Sequence, residues 1–142
     1  MILHPAVVVH GLEHVRAALR QKRPVVLLSA PGAARFAGCL WWRELMALGQ
    51  AEFPESLMPD SRMGDVLDCA DAPGQAMAAL RVGQRRLVLD PACPAFPAVA
   101  AAAESLGAMV LRHRPPALDL AAPGAARRLA DWLRDDRAGQ PG

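Results

Sequence analysis

Tyrosine is absent from this chain of 142 residues, and lysine occurs once, at Lys22. Aromatic side chains make up 4% of the sequence, and cysteine occurs three times. Each scarcity removes a class of explanation. Cys39, Cys69 and Cys93 are odd in number and no two form a CxxC pair, so neither a disulfide framework nor a structural zinc site is expected. The net charge is only +2, and the basic residues are spread along the chain with no aromatics interleaved, so nucleic acid is not an expected partner. No apolar run approaches the roughly 18 residues that cross a bilayer, and no membrane partner is expected. The amino terminus has no basic start, and His4, Pro5 and His10 break its apolar run. It does not read as a secretory signal, and a cytoplasmic location with reduced thiols is the expectation. One lysine beside many alanines, arginines, prolines and glycines indicates a GC-rich coding bias, so arginine content alone carries no function.

What the chain does have is apolar substance: 53% hydrophobic residues and a mean hydropathy of +0.15. One domain spanning 1–136 is expected, followed by a loose tail at 137–142. Short apolar runs alternate five times with helical patterns, the signature of βα units and a mostly parallel sheet. The strands read as 6–10, 24–29, 65–69, 86–90 and 108–112. Most are continuously apolar, as strands covered on both faces should be. The expected fold is therefore a three-layer α/β/α protein with a five-stranded sheet. The favoured strand order is 2-1-3-4-5, a flavodoxin-like or Rossmann-like arrangement; a half-barrel from residue 65 onward is the alternative.

The expected helices are 12–21, 33–48, 73–81, 97–106 and 123–134. The second stands apart, because Phe36, Leu40, Trp41, Trp42, Leu45, Met46 and Leu48 cover most of its circumference. Such a helix is packed on more than one side or meets a second subunit. In the last helix, Ala126, Leu129, Leu133 and Trp132 form the expected buried stripe. Two long connections remain. Residues 49–64 emerge at the amino-terminal edge of a parallel sheet, and Phe53, Leu57, Met58 and Met63 there suit capping of the core or an interface. Residues 113–122 follow a strand, lie on the carboxyl side and are the better lid candidate.

The triplet Ala-Pro-Gly occurs at 30–32, 72–74 and 122–124, each time before a helical pattern. Proline at the first helical position loses no hydrogen bond and arrives with helical φ, so the triplet is expected to start helices. A dedicated phosphate loop would not recur three times. The Walker spacing is also missing, since five residues instead of four lie between Gly32 and Gly38 and Cys39 stands where lysine is needed. Ala34 occupies the second glycine of a dinucleotide fingerprint. What survives is a helix amino terminus able to hold one anion, with Arg35 in its first turn.

Parallel strands would bring His10, Ser29, Asp68, Cys69, Asp71, Asp90, Cys93, Arg112 and His113 to one rim. These are the materials of acid–base, nucleophilic or metal chemistry, and each also has a local explanation. The aspartates can cap helices or close turns, and the cysteines can be small buried hydrophobes. In the favoured order His10 faces Asp68, Cys69 and Asp71 across the switch point, with the Ser29 turn beside them. The candidate ligand-binding set is His10, Ser29, Gly32, Arg35, Asp68, Cys69, Asp71 and Gly74. No catalytic residue, metal ligand or cofactor is assigned. The leading expectation is a domain binding a small anionic or phosphorylated ligand. The alternatives are an enzyme using Cys69 or Cys93 with a histidine or carboxylate, and a homodimer pairing through the Trp41/Trp42 helix.

Overall fold

The computed structural model describes residues 4–54 and 64–134. It is an α/β protein with six strands rather than five, every pair parallel to its neighbour. The elements run β1 (Ala6–Val8), α1 (Leu12–Leu19), β2 (Val26–Leu28), α2 (Ala33–Phe36), α3 (Cys39–Glu52), β3 (Gly64–Asp68), α4 (Pro73–Arg81), β4 (Arg86–Val88), α5 (Phe96–Ser105), β5 (Met109–Leu111), β6 (Ala117–Asp119) and α6 (Ala125–Arg134). Among the described residues no helix is long and apolar enough to cross a membrane. The described chain divides into two compact units interleaved in sequence. One holds the described parts of Met1–Leu28, Leu45–Asp65 and Pro115–Gly142; the other holds Ser29–Glu44 and Val66–Arg114.

In the first unit β1 lies between β2 and β6, pairing Val7 with Leu27 on one side and with Leu118 on the other. The favoured order 2-1-3-4-5 is thereby corrected, because it requires β3 where β6 stands. The sixth strand forms inside the segment expected to be a lid. It escapes detection because no helix separates it from β5, so the strand–helix alternation that marks the other five is missing, and Pro115-Pro116 reads as a breaker. Proline is compatible with a position just before a strand. Val15, Ala18 and Leu19 are the buried face of α1. Gly49 of α3 comes so close to that helix that a Cβ there would sit 2.7 Å from Val15 Cγ1. In α6 the buried stripe is Ala125, Leu129 and Leu133, not Ala126, and Trp132 donates its indole N–H to Ala6 O at 2.8 Å.

In the second unit β3, β4 and β5 pair in sequence order, and Ser29, which follows β2, donates its N–H to Val66 O at 3.0 Å. Leu67, Leu87 and Leu89 are fully buried. Each such leucine contributes about 1.5–3 kcal/mol through removal of apolar surface from water. Small residues, Ala76 and Ala79 on α4 and Ala103 on α5, let those helices pack closely.

The expected helix 33–48 is two helices. Gly38 adopts φ +89 between α2 and α3, a conformation glycine takes without steric cost. Cys39, Trp42, Leu45, Met46 and Gly49 form the buried side of α3, while Phe36, Leu40 and Leu48 are exposed. The Ala-Pro-Gly triplets also divide. Only Pro73 begins a helix in the expected way. Gly32 and Gly124 are left-handed, at φ +67 and +76, and place proline outside the helix. Those two copies close the same turn: Ala33 N–H on Ala30 O and Arg35 N–H on Gly32 O, matched by Ala125 on Ala122 and Arg127 on Gly124. The expected residues Leu57, Met58 and Met63 of the 49–64 connection, and the tail at 137–142, lie outside the described residues.

Candidate functional site

The second unit carries a cleft of about 730 Å³ at the carboxyl ends of β3, β4 and β5. That is within the range of small-molecule sites, roughly 300–1,000 Å³. Its floor is built on Asp68, the last residue of β3, whose side chain is only 5% exposed. One carboxylate oxygen, Oδ1, accepts the Ala70 N–H at 2.7 Å, and the other, Oδ2, accepts Arg114 Nη1–H at 2.6 Å. Arg114 also donates to Ser29 O at 3.0 Å. The buried Ser29 hydroxyl accepts the Asp68 N–H at 2.9 Å and donates to Ala30 O at 3.1 Å. Both carboxylate oxygens of Asp68 and the Ser29 hydroxyl therefore have partners, which is the condition for tolerating a charge out of water.

Above that floor, Ala70 holds a left-handed backbone at φ +50, uncommon for a residue with a Cβ. It is fixed from both sides, by Asp68 Oδ1 on its N–H and by the Asp90 N–H on its carbonyl at 2.8 Å. Gly32 packs against it; a Cβ on Gly32 would lie 3.6 Å from Ala70 Cβ. Arg35 Nη1 pairs with Asp71 Oδ1 at 3.1 Å on the rim, both side chains well exposed. Asp90 Oδ1 accepts the Ala92 N–H at 2.9 Å, the turn expected of Asp-Pro. Arg112 lies over the Phe96 ring, its guanidinium carbon 5.0 Å from the centroid. The cleft thus has three arginines and three aspartates, and two pairs cancel: Arg114 with Asp68, Arg35 with Asp71. Arg112 and Asp90 have no ion-pair partner among the described residues.

Of the expected set, Gly32, Arg35, Asp68 and Asp71 line this cleft, with Ser29 buried beneath as its support. Cys69 is fully buried. Burial first, then the charge of Asp68 and the nearby Cys39, pushes its thiol up to about 12, which leaves no thiolate near neutrality. Cys93 is raised as well, by burial and by Asp90 and Asp71, and its sulfur donates to Asp71 O at 3.4 Å, not to a histidine or carboxylate. Gly74 lines a different groove, with Pro73 and Met77. His10 belongs to the first unit, because β1 has no β3 beside it; its Nε2 meets Asp119 Oδ1 at 2.8 Å. The His10 N–H also donates to His14 Nδ1 at 3.1 Å, so neutral His14 carries its proton on Nε2.

The residue missed in the sequence is Arg114. Its signal is the run Arg112-His113-Arg114, three basic side chains directly after a strand, all of which line the cleft. Among the described residues no group of three or more histidines, cysteines and carboxylates could hold a metal ion. No protein-family model matches the chain, and no curated protein matches it in sequence.

Proposed function

We propose that this protein binds a small anionic ligand, such as a phosphorylated metabolite, in the cleft at the carboxyl ends of β3, β4 and β5. One observation carries the reading: Arg112, seated over Phe96, is a guanidinium in a concave site that forms no ion pair among the described residues. Stacking on a ring occupies the face of the guanidinium and leaves its N–H edges for bidentate bonds to phosphate or carboxylate. The support beneath is rigid, because Arg114, Asp68 and Ser29 satisfy one another. The four-residue α2 adds little, its first turn being closed by bonds to Ala30 and Gly32.

Calorimetric titration with inorganic phosphate tests this. Binding that weakens about tenfold or more in Arg112→Gln, consistent with the loss of a charge-assisted bond, supports it; equal binding to both proteins refutes it. A cysteine enzyme is the less favoured reading, because Cys69 and Cys93 are both shifted toward the thiol form and neither lines the cleft. Self-association is the second reading. Trp42 is fully buried within the chain and is not available to a partner, but Phe36 and Leu40 are 71% and 68% exposed. Light scattering that finds only monomer at high concentration removes it.

A further inference from the structure

We infer that the ligand of this cleft carries a hydrogen-bond donor, a hydroxyl or an ammonium, that meets Asp90 while its anionic group meets Arg112. The inference rests on the anion-binding reading above and extends it to the ligand's chemical class. Asp90 is acceptor-only when ionised. It spends Oδ1 on the Ala92 N–H, and no cation or other donor reaches it among the described residues. Every other carboxylate of the cleft is matched, Asp68 by Arg114 and Asp71 by Arg35. A bare anion entering the cleft would gain Arg112 and be repelled by Asp90. A molecule with an anionic end and a donor end satisfies both, and electrostatic matching of this kind sets specificity. Sugar phosphates and phosphorylated amines share that chemistry, and both fit a cleft of about 730 Å³.

The experiment titrates inorganic phosphate, ribose 5-phosphate and phosphoethanolamine into the wild-type protein, Asp90→Asn and Arg112→Gln. Asparagine retains the oxygen that accepts the Ala92 N–H, so the turn is preserved. Ribose 5-phosphate or phosphoethanolamine is expected to bind about tenfold tighter than inorganic phosphate, as a bond to a charged group warrants. Asp90→Asn erases that advantage and tightens inorganic phosphate, while Arg112→Gln weakens all three. The probe that gains identifies the donor as hydroxyl or ammonium. If inorganic phosphate binds through Arg112 and neither donor-bearing probe exceeds it, the role of Asp90 is overturned and the anion site stands. If Arg112→Gln leaves all three unchanged, or none binds, the anion site falls with it.

Discussion

Asp68 and Asp119 do the same thing locally in different units. Each is the last residue of a parallel strand, and each accepts, on Oδ1, the N–H of the alanine two residues on, at 2.7 Å and 2.9 Å. Each is also paired to a cation-forming side chain from a distant part of the chain, Arg114 at 2.6 Å and His10 at 2.8 Å. They differ in water. The Asp68 side chain is 5% exposed and that of Asp119 is 46% exposed. One turn motif thus yields a buried carboxylate–guanidinium pair in one place and a solvated carboxylate–imidazole pair in the other. The difference comes from the partner and its surroundings, since the strand ending is alike in both.

Removing the partner should separate the two corners most sharply. Arg114→Ala leaves a carboxylate buried without a counter-charge, which typically costs about 3–5 kcal/mol. Urea unfolding should show that loss, and adding Asp68→Asn to Arg114→Ala should recover part of it, because a neutral amide needs no cation. His10→Ala, by contrast, breaks an exposed pair and should cost less than about 1 kcal/mol. Equal losses at the two corners would mean that the difference in exposure has no energetic consequence.

Acid should act on the first unit through His14 and Asp119. His14 titrates below its ordinary value, through burial first and then through His10, which outweigh the opposing pull of Asp119. Burial alone would raise Asp119, but the Ala121 N–H and the His10 hydrogen bond and charge hold it below the usual carboxylate value. Both folded values are depressed, so the unfolded chain binds protons first on acidification. The contribution of His14 is present in full above about 6.5 and fades as pH falls through its lower folded value. That of Asp119 is present above about 3.8 and is lost below. A stability profile measured by urea unfolding should therefore decline in two stages. His14→Gln should flatten the upper stage and leave the lower one; an unchanged upper stage in that variant would assign it elsewhere.

How much of this was readable beforehand follows the range of the interaction involved. Five strands, the class of fold and the Asp-Pro turn at Asp90 are local patterns of a few residues, and the sequence carries them openly. The segments Ala30–Arg35 and Ala122–Arg127 are identical in sequence and close identical turns. Yet α2 stops at Phe36 where Gly38 follows, and α6 runs on to Arg134 because Leu129 and Leu133 continue a buried stripe. Local residues set the turn, and downstream packing sets the helix length. The pairings that define the corners span much longer distances in sequence: 46 residues from Asp68 to Arg114 and 109 from His10 to Asp119. Spacing says nothing about such contacts until the order of strands is known, and the order turned on β6, a three-residue strand behind two prolines.

Asp90 is the third copy of the same turn and the one that sharpens the comparison, because among the described residues it has the turn without the partner. If the partner and not the turn sets the energetic weight, Asp90→Asn should change stability by no more than about 0.5 kcal/mol, the range of surface substitutions away from buried features. The asparagine oxygen still receives the Ala92 N–H, so the backbone that holds Ala70 through the Asp90 N–H is undisturbed. Thermal unfolding of Asp90→Asn beside Asp68→Asn makes the test direct, since the latter abandons the Arg114 guanidinium over a buried carbonyl and should be clearly the less stable. A large loss at Asp90 would place the energy in the turn itself and erase the distinction between anchor and open site. A negligible loss leaves Asp90 as a carboxylate to which the described residues bring no cation, as the proposed donor-bearing ligand requires.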